Sequence, residues 1–360
     1  MRKRVLWIGA ALAVGVALAI RWLYRPPEDA HARHHAEEAR AALEINALAS
    51  LPEAEQRARL RMYLLENPSP TVRAAAVQGI ARLRASEARP LLIIALGDYA
   101  SPVRERAAEV AAQLPPEEAL PLLLACLVDH DTLVRQTAIM AVQRMRAQRA
   151  VPLLIRLLQE DTNERTQHLA IGALRAITGQ RYYARFSDPP TTRARVRQQW
   201  LTWWAKARQR YETVNPTPYH PQRSIPAPGL VVHTLEGKPI ALRRPPKPLL
   251  INFWGTWCAG CQEELPHLIA LHRKYGDHLL ILGIAFDEPE GEAGLRRFCQ
   301  QRGIKYAQAL GTQAISEAFD LHGVPQTALI DTQGNIRFWW EGARDLGTFE
   351  RALQALLQSQ

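Results

Sequence analysis

A 31-residue period runs through the first half of the chain and constrains its fold more than any other feature. "RPLLIIAL" begins at Arg89, "LPLLLACL" at Leu120 and "VPLLIRLL" at Val151, so Pro90, Pro121 and Pro152 are evenly spaced. A second pattern is interleaved at the same period. Val72-Arg73, Val103-Arg104 and Val134-Arg135 each precede an alanine-rich run in which Ala76, Ala107 and Ala138 fall in register. A degenerate unit follows from Arg165 to Ile177, with Ala170 in the alanine register and Thr166-Gln167 in place of Val-Arg. Upstream, Leu60 to Glu66 reads as a first helix with Arg59 at the proline position. Two amphipathic helices per unit cannot bury their apolar faces alone, but stacked units form one continuous core. The period therefore predicts an all-α solenoid over residues 30–211, with leucine and isoleucine clusters inside and alanines where helices approach closely.

The solenoid pattern, with its Pro-x-Val-Arg and alanine register, resembles HEAT repeats of the short bacterial type. It closes with Arg181 to Arg210, which holds eight Lys+Arg and one Asp, and with Trp200, Trp203 and Trp204 on one helical face. This helix is expected to cap the last repeat with its tryptophans and solvate its arginines; a surface for acidic lipid or an acidic partner is the functional alternative. Cys126 lies inside a leucine-rich helix and reads as core. His31, His34 and His35 have no carboxylate or cysteine framework around them and read as a solvated helix start, so no metal site is expected.

Before the repeats, Arg2-Lys3-Arg4 leads into the apolar run Val5 to Ile20, extended past Arg21 by Trp22-Leu23-Tyr24. About twenty residues at 1.5 Å each span a ~30 Å hydrocarbon core. Residues 1–25 therefore predict a transmembrane signal anchor. Ala17-Leu18-Ala19 leaves open a cleaved secretory signal and a secreted form. Three basic residues precede the run and Arg21, Arg25 and Arg33 follow it, so charge alone does not set the orientation; the signal-like layout is what puts the rest of the chain on the extracytoplasmic side, and the anchored form makes it a single-pass protein of the inner membrane facing the periplasm. The formal charge of +10 is uneven. From Gly229 onward there are 13 Lys+Arg against 14 Asp+Glu, and before it 32 against 21. The basic character belongs to the N-terminal part, and an exported protein has no nucleic acid to meet. Residues 212–228 carry Pro216, Pro218, Pro221, Pro226 and Pro228. The sixteen residues from Thr213 to Pro228 at ~3.1 Å each reach up to roughly 50 Å, so the linker predicts a last domain (229–360) that is tethered and not fused to the solenoid.

The chemistry is concentrated in "LLINFWGTWCAGCQEELP", Leu249 to Pro266. A strand-like apolar run feeds Cys258-Ala259-Gly260-Cys261, and a helical pattern follows. A strand leading into Cys-x-x-Cys at a helix start is a redox arrangement. Free backbone N–H groups and the positive end of the helix dipole favour a thiolate at Cys258, and such placement lowers a cysteine pKa from ~8.5 into roughly 3.5–7.5. Cys261, nearly one turn on, can close a disulfide with it. The competing readings fit less well. Gln262 follows the second cysteine where a c-type haem site needs His. A zinc site needs four ligands, and the remaining cysteines, Cys126 and Cys299, are single. A structural staple would close a very short loop. Cys299 sits where a helix is usually apolar.

This segment resembles the exported TlpA/ResA type of thioredoxin-like protein. Trp257, Cys258, Cys261, Glu264 and Pro266 meet that motif, and "GVPQTALIDTQGNI" from Gly323 is similar to the family's cis-proline segment and the hairpin after it. The resemblance covers roughly Leu230 to Leu357. It implies an α/β thioredoxin fold, a redox-active disulfide between Cys258 and Cys261, and catalysis by Cys258, Cys261 and Glu264. Glu264 takes over the work of the buried acid that cytoplasmic thioredoxins carry where Asn252 stands here. Trp257, Val324 and Pro325 are the implied substrate-binding residues. The implied partners are protein thiols and disulfides, such as apocytochromes in cytochrome c maturation or copper-site proteins, and a redox protein that recycles the pair. No cofactor is called for. The whole chain is thus expected to be multidomain: a transmembrane helix, an all-α solenoid and a C-terminal α/β thioredoxin fold. The alternative is a repeat scaffold whose last domain docks partners without turnover; it gives no reason for both motif cysteines.

Overall fold

The computed structural model describes residues 30–211, 213–216, 225–321 and 323–358. The apolar segment 1–25 and most of the linker lie outside the described residues. Among the described residues no helix is long and apolar enough to cross a membrane.

The first part is a stack of helices: α1 (Ala30–Ala47), α2 (Glu53–Glu66), α3 (Pro70–Ile80), α4 (Ala85–Leu96), α5 (Ser101–Ala111), α6 (Pro116–Cys126), α7 (Thr132–Arg144), α8 (Val151–Glu160), α9 (Glu164–Thr178) and α10 (Pro190–Ala207). The helices α2, α4 and α6 begin several residues before the position that aligns with Pro152, so Pro90 and Pro121 lie inside α4 and α6. The second helix of three pairs starts on a side-chain cap. Ser69 accepts from Val72 N, Asp131 from Leu133 N and Val134 N, and Asn163 from Thr166 N, each satisfying donors the helix leaves free. Ala76, Ala107, Ala138 and Ala170 are fully buried, as their register predicts. Trp200 is also fully buried and donates its indole N–H to Tyr182 O at 3.2 Å, while Trp203 and Trp204 pack half-buried around Tyr211.

The recurring Val-Arg arginines point inward. Arg73, Arg104 and Arg135 pair with Asp98, Asp129 and Asp161 of the following turn at 2.7, 3.0 and 2.7 Å. Each guanidinium also donates to two carbonyls of the turn before its own helix. A buried charge is tolerated only when paired and fully hydrogen-bonded, and this ladder meets that condition from repeat to repeat.

The last domain contains β1 (Ile225–Pro226), β2 (Val231–His233), β3 (Pro239–Ala241), β4 (Leu249–Trp254), α11 (Ala259–Tyr275), β5 (Leu280–Ala285), α12 (Gly291–Arg302), β6 (Ala307–Leu310), α13 (Gln313–Phe319), β7 (Gln326–Ile330), β8 (Asn335–Glu341) and α14 (Leu346–Gln358). The main sheet runs β1-β8-β7-β4-β5-β6, and β2-β3 form a separate hairpin. Strand β4 is parallel to β5 and antiparallel to β7. All six of its residues are buried, as an unbroken apolar run covered on both faces requires.

The two parts are docked, which corrects the tethered arrangement expected from the linker. Strand β1 brings the chain back onto the start of β8, with Ile225 opposite Ile336. Further along β8, Trp339 N donates to Tyr99 O at 3.1 Å. Three repeat-equivalent positions at the starts of α5, α7 and α9 then meet the loop before α14 and the first turn of α14. Ser101 accepts from Arg344 at 3.2 Å, Thr132 shares a hydrogen bond with Thr348 at 2.8 Å, and Asn163 donates to Asp345 at 2.9 Å. Proline content predicts a stiff, extended segment but does not say where its ends go. Here the repeat presents polar groups at one edge, and the α/β domain answers them.

Candidate redox site

Strand β4 delivers the chain to the site, and α11 begins immediately after Cys258, which occupies the N-cap position. Cys258 and Cys261 form a disulfide with a Cα–Cα distance of 5.2 Å. Cys261 N donates to Cys258 Sγ at 3.1 Å, so the helix start directs a backbone dipole at the sulfur that would carry the thiolate. Cys258 is 7% exposed and Cys261 1%. Trp257 beside them is exposed at 54%. Its indole N–H donates to Phe286 O at 3.1 Å, and its ring lies across Gly255, where any Cβ would meet it at 2.6 Å. The turn carrying Thr256 is fastened to Glu288, which accepts from Thr256 N at 2.8 Å and Thr256 Oγ1 at 2.6 Å.

The Val324-Pro325 peptide bond is cis. Val324 O lies 3.5 Å from Cys258 Sγ, and a Cβ on Gly260 would sit 3.6 Å from Pro325 Cδ. The sequence-predicted residues Cys258, Cys261, Val324 and Pro325 are therefore brought together, Cys261 and Pro325 buried, with the exposed Trp257 next to Cys258 in the chain. Next to the sulfur, the backbone at Val324 offers a wall against which an extended peptide can lie.

Glu264 is 1% exposed and lies one turn beyond Cys261 on the same face of α11. Its two oxygens accept from Asn252 Nδ2 at 2.8 Å and from Arg344 N at 2.9 Å. Asn252 also donates to Thr327 Oγ1 at 3.0 Å. Burial pushes the Glu264 carboxyl up to about 7, against the downward pull of the Arg344 N–H bond, the Arg344 charge and the Asn252 bond. A carboxyl with that value holds and releases a proton near neutrality. The sequence motif marks Glu264 but gives no hint of Arg344, which reaches the site from 80 residues away. Tyr306 closes the far side; burial and the neighbouring Glu264 push its hydroxyl upward, so it stays neutral.

Cys126 and Cys299 are free thiols and buried. Burial pushes the Cys299 thiol up to about 11, which suits core filling and not nucleophilic attack. Among the described residues no group of three or more His, Cys, Asp or Glu is gathered closely enough to hold a metal ion.

The comparisons with known proteins divide the chain at the same place. Residues 58–143, 88–175 and 129–188 match HEAT repeats, and residues 225–339 match the AhpC/TSA family. A thiol-disulfide oxidoreductase ResA of Bacillus thuringiensis (strain Al Hakam) is 36% identical over 112 residues, which are 31% of this chain and 64% of that protein. The thioredoxin-like protein YneN of Bacillus subtilis (strain 168) is 27% identical over 129 residues, 35% of this chain and 76% of that one. A thiol:disulfide interchange protein of the thioredoxin family from Chlorobium tepidum TLS, a solved structure, is 27% identical at a TM-score of 0.34, over 38% of this chain and 97% of that chain. The chain thus spans a little under two thirds of the length of its ResA relatives. It carries HEAT repeats followed by a thioredoxin-like domain of the AhpC/TSA family, similar to ResA.

Proposed function

We propose that this protein is an exported, membrane-tethered thiol–disulfide oxidoreductase that acts on protein disulfides and thiols through Cys258 and Cys261, with the solenoid positioning its partners. The observation that carries the reading is the disulfide at the N-cap of α11, beside the cis-Pro325 wall and backed by the buried Glu264. ResA, named as a thiol-disulfide oxidoreductase, supports it through similarity over the same region.

From the oxidised state, a client thiolate attacks Cys258 Sγ and breaks the bond to Cys261. Cys261 leaves as a thiolate and takes the proton of Glu264. A second client thiol, giving its proton to solvent, then attacks the mixed disulfide and releases Cys258. The client gains a disulfide, and the pair gains two electrons. In the reverse direction Cys258 attacks a client disulfide, Cys261 resolves the mixed disulfide, and Glu264 accepts the Cys261 proton. Trp257, Val324 and Pro325 hold the client as a short added strand. Clients of the class the resemblance implies are apocytochromes and copper-site proteins.

The full chain should accelerate insulin reduction by dithiothreitol. The Cys258→Ser/Cys261→Ser double variant should give only the uncatalysed rate, and an uncatalysed rate with the unaltered chain would sink the proposal. The anchor rests on the apolar run 5–20. The full chain should stay with membranes after a high-salt wash, and recovery of a mature N-terminus at Ile20 would show a cleaved signal instead.

A further inference from the structure

The loop between β8 and α14 touches both halves of the redox site and the solenoid at once. Gly342 N donates to Pro325 O at 2.9 Å, and Arg344 N donates to Glu264 Oε1 at 2.9 Å. The Arg344 side chain turns the other way. It is 6% exposed, its Nη1 donates to the carbonyls of Glu341, Gly342 and Ala343, and its Nε donates to Asp131 Oδ2 at 2.7 Å. Its Nη2 donates to Ser101 Oγ at 3.2 Å. Asp131 belongs to the solenoid, is fully buried, and caps α7. One buried ion pair therefore lies between the repeat edge and the loop that carries the hydrogen bonds to the cis-proline and to the acid.

We infer that the solenoid is part of the redox site: Asp131 and Arg344 are positioning residues that hold the 342–344 loop against Glu264 and Pro325 and fix the charge that Glu264 faces. The inference deepens the proposed function and rests on Glu264 being the acid of that site. Asp131 carries the charge opposite to Arg344 and offsets part of the pull that the Arg344 cation exerts on Glu264. Burial pushes the Asp131 carboxyl up, but the charges of Arg344 and Arg104 and the hydrogen bonds from Arg344 and Leu133 N outweigh it and hold that carboxyl below its usual range, so Asp131 stays ionised. The other groups facing Glu264 are neutral at pH 7. Asn252 and Thr327 come from β4 and β7, Tyr306 from the turn before β6, and Cys261 from α11 itself. Glu105, on α5, faces the same pair. Burial and the Asp131 charge push it up, and Arg344 pulls it down.

Charge makes the two partners act with opposite sign, whereas simple loosening of the loop would not. Asp131→Asn keeps an oxygen to cap α7 but leaves the Arg344 cation unbalanced, which favours ionised Glu264. Arg344→Gln keeps the backbone N–H to Glu264 but leaves the Asp131 anion unbalanced, which disfavours it. The Glu264 carboxyl can be titrated directly by 13C NMR of the oxidised full chain with labelled glutamate, its resonance assigned by disappearance in Glu264→Gln. The expected midpoint moves down by about one unit in Asp131→Asn and up by about one unit in Arg344→Gln. A midpoint unmoved in both variants, or moved the same way in both, overturns the inference. Should Asp131→Asn not fold, Arg344→Gln alone decides, and a midpoint unmoved or lowered overturns it. The titration needs no turnover, so a chain inactive on insulin that still shows opposite shifts would refute the proposed function and leave this coupling standing.

Discussion

Replacing Glu264 by Gln tests whether a buried acid stands behind the disulfide. The native carboxyl titrates at about 7 and has an ordinary value of 4.5 in the unfolded chain. Its pKa is thus raised in the folded state. The stability it contributes is fully present below pH 4.5 and is lost as pH rises through 7. At 1.36 kcal/mol per pKa unit, the loss from acid to pH 8 is about 3 kcal/mol. Glutamine cannot ionise. Its oxygen can still accept from Arg344 N, and the Asn252 amide can turn its own oxygen toward the new NH2. Urea unfolding of the full chain with the disulfide intact, followed by tryptophan fluorescence at pH 4, 6 and 8, gives the difference between variant and wild type. That difference should move in favour of Glu264→Gln by about 3 kcal/mol between pH 4 and pH 8. A difference independent of pH, or one moving the opposite way, would show that Glu264 is not the buried, proton-holding group described.

Two other substitutions probe the supports of the site. Asp129→Ala leaves the Arg104 guanidinium, 2% exposed, without its carboxylate; thermal or urea unfolding should show a loss of about 3–5 kcal/mol, and a change within measurement error would mean the arginine ladder does not hold the repeats together. Gly255→Ala drives the Trp257 ring from its place and breaks the bond to Phe286 O; it should cost about 1 kcal/mol and slow insulin reduction, and an unchanged rate would remove Trp257 from client binding.

What was legible in the sequence follows the range of each interaction. The solenoid was visible because its contacts repeat every 31 residues, and the alanine register marks the positions that pack fully buried. The inward arginines were half visible. Arg73, Arg104 and Arg135 recur in the period, and Asp98, Asp129 and Asp161 follow them at near-constant spacing. Without a structure, an arginine beside valine reads as solvated, because burial of a charge depends on a partner from the next turn. The cysteine pair is local: strand, N-cap and first turn are contiguous, so its geometry could be read directly. The docking was not legible. Arg344 and Asp131 are 213 residues apart, joined across two units whose separate patterns are each complete. Proline-rich composition describes the stiffness of the linker but not the pairing of Ile225 and Pro226 with β8. For the same reason the role of Arg344 behind Glu264 leaves no trace in the motif that marks Glu264 itself.

In the proposed reaction Cys258 is the attacking sulfur and Cys261 the resolving one. Cys258 caps the helix and is the more exposed of the two, while Cys261 is enclosed behind it. Cys261→Ser removes the resolving thiol, so a mixed disulfide formed at Cys258 cannot be cleared. Cys258→Ser removes the attacking sulfur and should accumulate none. The measurement is non-reducing capture of client proteins by each variant, with the linked cysteine mapped by mass spectrometry. Adducts on Cys258 are expected in Cys261→Ser and none in Cys258→Ser. Adducts through Cys261, or no adduct in either variant, would contradict that assignment.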